Sequence, residues 1–308
     1  MAATVNAPPD AVELAQVERA LAELRGGDRA GSVRATTLNL IVVCAGEVSA
    51  DDTAEVLDRI GGSRPLRAFL LSRGKGRPMA RVSSACWIGG GQEVCTERIA
   101  IRGDWAALPS GVAALLVADL PVFLWWQGSL PEPGDPVLAE LTEMASQVIV
   151  DSDNADLAAV AELDRSAEGL TDLAWVRTGA WREAIAALFD GRSQRRALNR
   201  LFGVEVTGPP NEAALLAGWL RARLRRHVGL DTRRAKRLNR VELLCGDDAV
   251  FRVERMGRNR YGLAGGPGLA ERTVALPLPD LAMQLAEELD RLGHEASFEE
   301  SLAEAVGS

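Results

Sequence analysis

Residues 36–44, Thr-Thr-Leu-Asn-Leu-Ile-Val-Val-Cys, are rich in β-branched side chains and almost continuously apolar, the pattern of a strand buried on both faces of a covered sheet. Upstream, Val17 and Leu21 recur at helical spacing after Pro8-Pro9-Asp10, which predicts a helix from an Asp10 cap to Gly26-Gly27. Downstream, Ser49 with an acidic residue three positions on opens a second helical pattern (Ala54, Val56, Leu57, Ile60) that stops at Gly61-Gly62. Residues 66–71, 80–88 and 93–101 read as strands, the last two forming a hairpin through Gly89-Gly90-Gly91. A loop and helix over 105–116, a strand at 122–126, a helix near 137–145 and a strand at 148–150 continue an α/β alternation.

The second half is patterned differently. A helix over 181–189, capped by Thr178 and ended by Gly191, is followed by one over 211–226 with Leu215, Leu216, Trp219, Leu220 and Leu224 on one stripe. Strands at 241–245, 249–253, 260–263 and 273–276 predict a meander, closed by helices over 280–292 and 298–306. At 308 residues the chain exceeds what one core usually supports. The expected fold class is α/β to α+β: an N-terminal mixed-sheet α/β domain with helices on both faces, then a C-terminal α+β domain. The expected divisions are a tail and helix over 1–30, the α/β domain over 31–165 and the α+β domain over 166–308, with the boundary inside 153–177.

Composition narrows the function classes. Hydrophobic residues make up 47% and charged residues 25%, a folding composition. The net charge of −8 disfavours general nucleic-acid binding, although residues 192–240 carry 13 Lys/Arg against 3 Asp/Glu. No basic leader followed by an apolar run opens the chain, and no stretch has the roughly 18 apolar residues of a membrane span, so a cytoplasmic protein is expected. Cys44, Cys86, Cys95 and Cys245 form no CxxC pair and read as buried or idle thiols. Cys86 and Cys95, on adjacent strands, are the candidates for a regulatory thiol.

Candidate chemistry is sparse. His227 and His294 both sit near helix termini among charged residues and read as surface side chains. Metal, hydrolase and phosphate-loop motifs are absent from the sequence, and no cofactor is expected. Glu97, Asp119 and Asp151 stand out because each lies in or beside an apolar strand, where a charge costs several kcal/mol unless paired. The simplest reading pairs them with Arg98, Arg102 or Arg34. The basic stretch 221–240 reads as one helix face plus a mobile loop, or as a dock for an acidic partner, and lacks the aromatic platform of a nucleic-acid site. An alternative reading is a phosphosugar pocket with Arg64, Arg67 or Arg81 on the phosphate and Glu97 or Asp119 on hydroxyls.

The most informative segment is Asp119-Leu-Pro-Val-Phe-Leu-Trp-Trp126, whose adjacent tryptophans must face opposite sides of a sheet. Either helices cover both faces or one ring awaits a partner. Together with Val94–Ile99, Leu115–Trp126, Val148–Ser152, Leu173–Arg177, Trp181–Glu183 and Leu215–Leu220, this segment resembles the OpcA family of glucose-6-phosphate dehydrogenase assembly proteins, in order over roughly residues 34–300. The chain departs from the family at Gly62-Ser-Arg-Pro-Leu-Arg67, where a His-Pro-Ser-Arg-like element is usual, and at Glu97-Arg98, where Glu-Gln is usual. The resemblance implies a non-catalytic partner of oligomeric glucose-6-phosphate dehydrogenase in the oxidative pentose phosphate pathway, in part of the family tuned by thiol redox state. The candidate contacts are then Trp125, Trp126, Trp181, Arg182 and the basic region with Arg233 and Arg234.

Overall fold

The structure, a computed structural model, describes residues 4–7, 10–26, 32–33, 36–44, 47–61, 64–89, 92–246 and 248–307. The chain divides into two compact units, one of Met1–Val150, Glu162–Thr171 and Asp280–Gly293, the other of Asp151–Ala161, Asp172–Pro279 and His294–Ser308.

The first unit opens with β1 (Thr4–Asn6), β2 (Val12–Glu13) and α1 (Val17–Gly26), followed by β3 (Ser32–Val33), β4 (Asn39–Val43), α2 (Glu47–Gly61) and β5 (Arg67–Arg73). The long strands β6 (Met79–Gly89) and β7 (Gln92–Gly103) pair as a hairpin, then α3 (Leu108–Ala113), β8 (Val122–Trp126), α4 (Pro136–Met144) and β9 (Gln147–Val150) follow. After α5 (Leu157–Asp164), β10 (Leu170–Asp172) lies beside β9, completing a sheet of ten strands among the described residues. Its order is β1-β6-β7-β5-β4-β8-β9-β10, with β2 on β6 and β3 on β7.

Strands β4, β5, β7, β8 and β9 are parallel. The continuous burial of β4 and β8 is what a strand covered on both sides requires. From β4 the chain steps through α2 to β5 on one side, and from β8 through α4 to β9 on the other. Right-handed crossovers in opposite directions put those helices on opposite faces. The sheet therefore reverses its winding between β4 and β8.

Two expected starts differ. The first helix begins at Val17 and not at Asp10, because Val12 and Glu13 pair with Ala80 and Met79 on β6 and hold the backbone extended. The second begins at Glu47, two residues before Ser49. Pro8-Pro9, Gly27, Gly62, Gly90-Gly91 and Arg34 lie outside the described residues.

The second unit contains α6 (Leu173–Ala186), α7 (Arg192–Leu198), β11 (Leu201–Gly208), α8 (Pro210–Leu224), β12 (Gly229–Arg234), β13 (Arg240–Cys245), β14 (Ala249–Arg255), β15 (Tyr261–Gly266), β16 (Leu269–Ala275) and α10 (Ala296–Val306), while α9 (Leu281–Glu288) belongs to the first. Its sheet runs β12-β11-β13-β14-β15-β16, with β11 and β12 parallel and the other neighbouring strands antiparallel among the described residues. Trp181, Leu216, Leu220, Val241, Phe251 and Val253 are part of its core. Thr178 does not cap a helix at 181: Asp172 accepts from Ala174 N at 2.9 Å and starts α6 eight residues earlier, and Thr178 Oγ1 donates back to Trp175 O within it. The basic segment 221–240 is not simply a helix face plus a mobile loop, because its middle is the edge strand β12.

Candidate functional site

At the N-terminal ends of the parallel strands, Arg67 on β5 stands in register with Glu97 on β7 and Asn39 on β4. Arg67 Nε donates to Glu97 Oε2 at 2.9 Å, its Nη1 to Glu18 at 2.7 Å and to Leu115 O at 2.9 Å, while Arg25 Nε reaches Glu97 Oε1 at 2.6 Å. Asn39 clamps Val117 through both its amide atoms. Glu97 is thus neutralised, but by Arg67 and Arg25 and not by Arg98. Adjacent strand residues face opposite sides, and Arg98 pairs with Asp58 instead. Asp119 is exposed, at φ 61°, in the turn before β8, so it carries no buried charge. Of the three arginines of the phosphosugar reading, Arg67 is committed to Glu97 itself, Arg64 donates to Leu289 O at 2.6 Å and pairs with Asp290, and Arg81 is exposed on β6.

The opposite end of the same strands is hollow. Trp125 and Trp126 are both buried, at 3% and 5% exposure, so neither ring stands at the surface. Trp126 Nε1 donates to Ser129 O at 3.1 Å, a return of the chain made possible by Gly128 at φ 79°, a conformation that favours glycine. The ring meets Trp105 edge to face at 6.0 Å, and the Arg73 guanidinium lies 4.6 Å over Trp105. These groups, with Cys44, Ser72 and Gln127, line a cavity of about 510 Å³. Every lining residue belongs to the C-terminal end of β4, β5 or β8 or to the loop or 3₁₀ turn just beyond β4, β7 or β8. Gln127 Nε2 is fixed by Thr53 Oγ1 at 2.8 Å, and burial pushes the Cys44 thiol up to about 11, keeping it protonated.

In the second unit, Arg177 gathers three carboxylates. It makes a two-pronged contact with Asp151 (2.9 Å each), and reaches Asp153 at 2.8 Å and Glu212 at 2.6 Å. Burial opposes the guanidinium charge, but Asp151 and Glu212 outweigh it and hold Arg177 above its ordinary value. Trp181 is 2% exposed. Arg182 stacks 3.4 Å from the Trp175 ring and donates to Thr178 Oγ1 at 3.1 Å; burial lowers it to about 10. Arg233 and Arg234 are exposed on β12, with no ion pair among the described residues. The sequence-derived candidates therefore occupy separate places, and only Trp126 reaches the cavity.

Residues 57–168 match the family model of the glucose-6-phosphate dehydrogenase subunit N-terminal domain, and residues 168–302 match its C-terminal domain. The chain belongs to the OpcA family. Proteins named OpcA and ascribed to the OxPP cycle are similar: one from Nostoc punctiforme is 33% identical over 55% of this chain and 40% of its own length. One from Synechocystis is 28% identical over 55% and 39%, and one from Synechococcus elongatus 29% identical over 63% and 46%. The matches thus span less than half of each of these relatives.

Two features of this OpcA-family chain escaped sequence reasoning. Cys86 and Cys95 are not idle thiols but a disulfide, with Cα atoms 4.1 Å apart. Counting outward from the Gly89–Gln92 pair at the hairpin end puts residues 86 and 95 directly opposite, so the signal was present in the hairpin register. The cavity left no such signal. Arg73 and Trp105 meet only because β5 and β7 are neighbours, which their spacing in the chain does not reveal. Among the described residues no helix is long and apolar enough to cross a membrane.

Proposed function

We propose that this chain binds glucose-6-phosphate dehydrogenase in the cytoplasm and activates it allosterically, supporting its active assembly without turnover of its own. The observation that carries this reading is the consecutive match of both halves of the chain to two domains described as parts of a glucose-6-phosphate dehydrogenase subunit. The chemistry favours it too. Glu97 and Asp151, the carboxylates a catalytic role would need, are held in ion pairs with Arg67, Arg25 and Arg177.

The contact surface we assign is β12, an edge strand whose Arg233 and Arg234 are exposed and unpaired among the described residues. An open strand edge offers backbone hydrogen bonds, and its two cations suit an acidic partner surface. Activation then follows from tighter binding to the active state of the dehydrogenase, by no more than the difference in affinity between states.

Purified chain mixed with the cognate dehydrogenase is expected to co-elute with it and to lower its KM or raise its kcat. The double substitution Arg233→Glu and Arg234→Glu should weaken that co-elution by about tenfold or more, moving it to correspondingly higher dehydrogenase concentration. Co-elution without any kinetic change would reduce the role to assembly. Failure to associate would overturn the reading.

A further inference from the structure

We propose that the cavity at the C-terminal ends of β4, β5 and β8 binds a small phosphorylated metabolite, its phosphate on Arg73 and its ring against the Trp105–Trp126 pair.

Position is the first argument. In open α/β sheets ligands bind in the crevice outside the carboxyl ends of the strands, where the winding of the sheet reverses. Here that reversal falls between β4 and β8, and Val43, Cys44, Trp126 and Gln127 from those two strand ends all line the cavity. Its volume of about 510 Å³ lies within the range of small-molecule sites.

Chemistry is the second. Among the described residues that line it, Arg73 is the one charged side chain, and no carboxylate accompanies it. It is exposed and has no ion pair among the described residues. Stacking on Trp105 occupies the face of its guanidinium and leaves the in-plane N–H groups for an anion, the geometry that suits phosphate. Two indoles at right angles supply an apolar corner for a ring. Ser72, Gln127 and Ser129 add polar groups along the same wall. Trp105 Nε1–H is buried with no acceptor among the described residues, an unsatisfied donor in a wall residue of the cavity.

Two sources share this chemistry, sugar phosphates and mononucleotides, and titration of the full chain by calorimetry distinguishes them. The probes are glucose 6-phosphate, ribose 5-phosphate and AMP, against glucose, adenosine and inorganic phosphate. At least one phosphorylated ring compound is expected to bind about tenfold or more tighter than both its unphosphorylated counterpart and phosphate alone. Arg73→Gln, at an exposed position that leaves the core untouched, should weaken it about tenfold or more, the loss of one charge-assisted contact. Trp105→Phe keeps a ring and removes the buried donor, and should weaken the same probe less than Arg73→Gln does. Binding in the sugar phosphate arm or the AMP arm names the source. The proposal is overturned if no phosphorylated probe outcompetes its unphosphorylated form, or if Arg73→Gln binds like the unaltered chain. Because the chain is titrated without the dehydrogenase, these outcomes are independent of whether the two proteins associate.

Discussion

At Asp172 a helix cap and a buried charge oppose each other. Its Oδ1 accepts from Ser152 N at 3.0 Å and Ala174 N at 2.9 Å, while Oδ2 has no partner among the described residues and the side chain is fully buried. Burial pushes the carboxyl from 3.8 up to about 6, against the hydrogen bonds from Ser152 and Ala174. A raised acid pKa means that the folded chain holds its proton longer than the unfolded chain does. Its contribution is therefore full below pH 3.8 and is lost as pH rises through about 6. Relative to Asp172→Asn, which keeps an acceptor for both N–H groups, the unaltered chain should lose about 3 kcal/mol across that window. Urea unfolding of both proteins from pH 4 to 7 measures it, and parallel curves would refute the assignment. Arg177 is the complementary case, a charge whose partners hold it. Arg177→Met leaves Glu212, with 4% of its side chain exposed, facing an apolar replacement, and should cost about 3–5 kcal/mol at neutral pH in the same assay. Sequence flagged Asp151 as needing a partner, but not which one, since Arg177 becomes its neighbour only once α6 is known to start at Leu173, capped by Asp172.

Elements whose pattern is local were legible. Strand 122–126 is as predicted, and the hairpin, α8 and the meander lie within a few residues of expectation. Elements defined by their neighbours were not. β11 breaks its alternation where Gly203 and Val204 are both buried, beside a register shift on β13, and β12 is a run of mostly exposed polar residues that becomes a strand only by pairing in parallel with β11. The β6–β7 hairpin carries the Cys86–Cys95 bridge. Closing a loop of that length contributes up to roughly 2–3 kcal/mol, less whatever the unfolded hairpin already retains. Cys86→Ala with Cys95→Ala should lower Tm without loss of sheet signal in circular dichroism, and a reductant should reproduce the shift in the unaltered chain only. Between α8 and α10 the backbones nearly touch, because a Cβ on Gly218 would fall 2.1 Å from Ser301 O. Gly218→Ala should thus destabilise the protein by about 1–3 kcal/mol, although alanine gains up to about 1 kcal/mol in helix propensity. A stabilised variant in denaturant titration would show that the helices can part without cost.

At the scale of the whole chain, sequence order and spatial order separate. The two family models abut at residue 168, and reading along the chain divides it near 165, so a cut there looks natural. The first unit nevertheless takes in Glu162–Thr171 and Asp280–Gly293. Helix α9 packs on α2, Arg59 reaches Asp280 at 2.5 Å, and Gly293 N donates to Gln147 Oε1 at 2.9 Å. Gln147 Nε2 in turn donates to Thr171 Oγ1 at 3.0 Å, and Leu285 and Leu289 are buried. These contacts bind three stretches of chain into one core, which no scan for periodicity could join because the last, Asp280–Gly293, lies more than a hundred residues beyond Thr171. A fragment of residues 1–165 should therefore lack β10 and α9, expose the covered face of α2 and melt at least about 10 °C below the lowest transition of the full chain. Joining residues 1–171 to residues 280–293 through a flexible linker supplies the missing strand and helix and should recover most of that loss. If residues 1–165 alone already melt like the full chain, the late segments contribute no stability to the first unit, and its core closes without them.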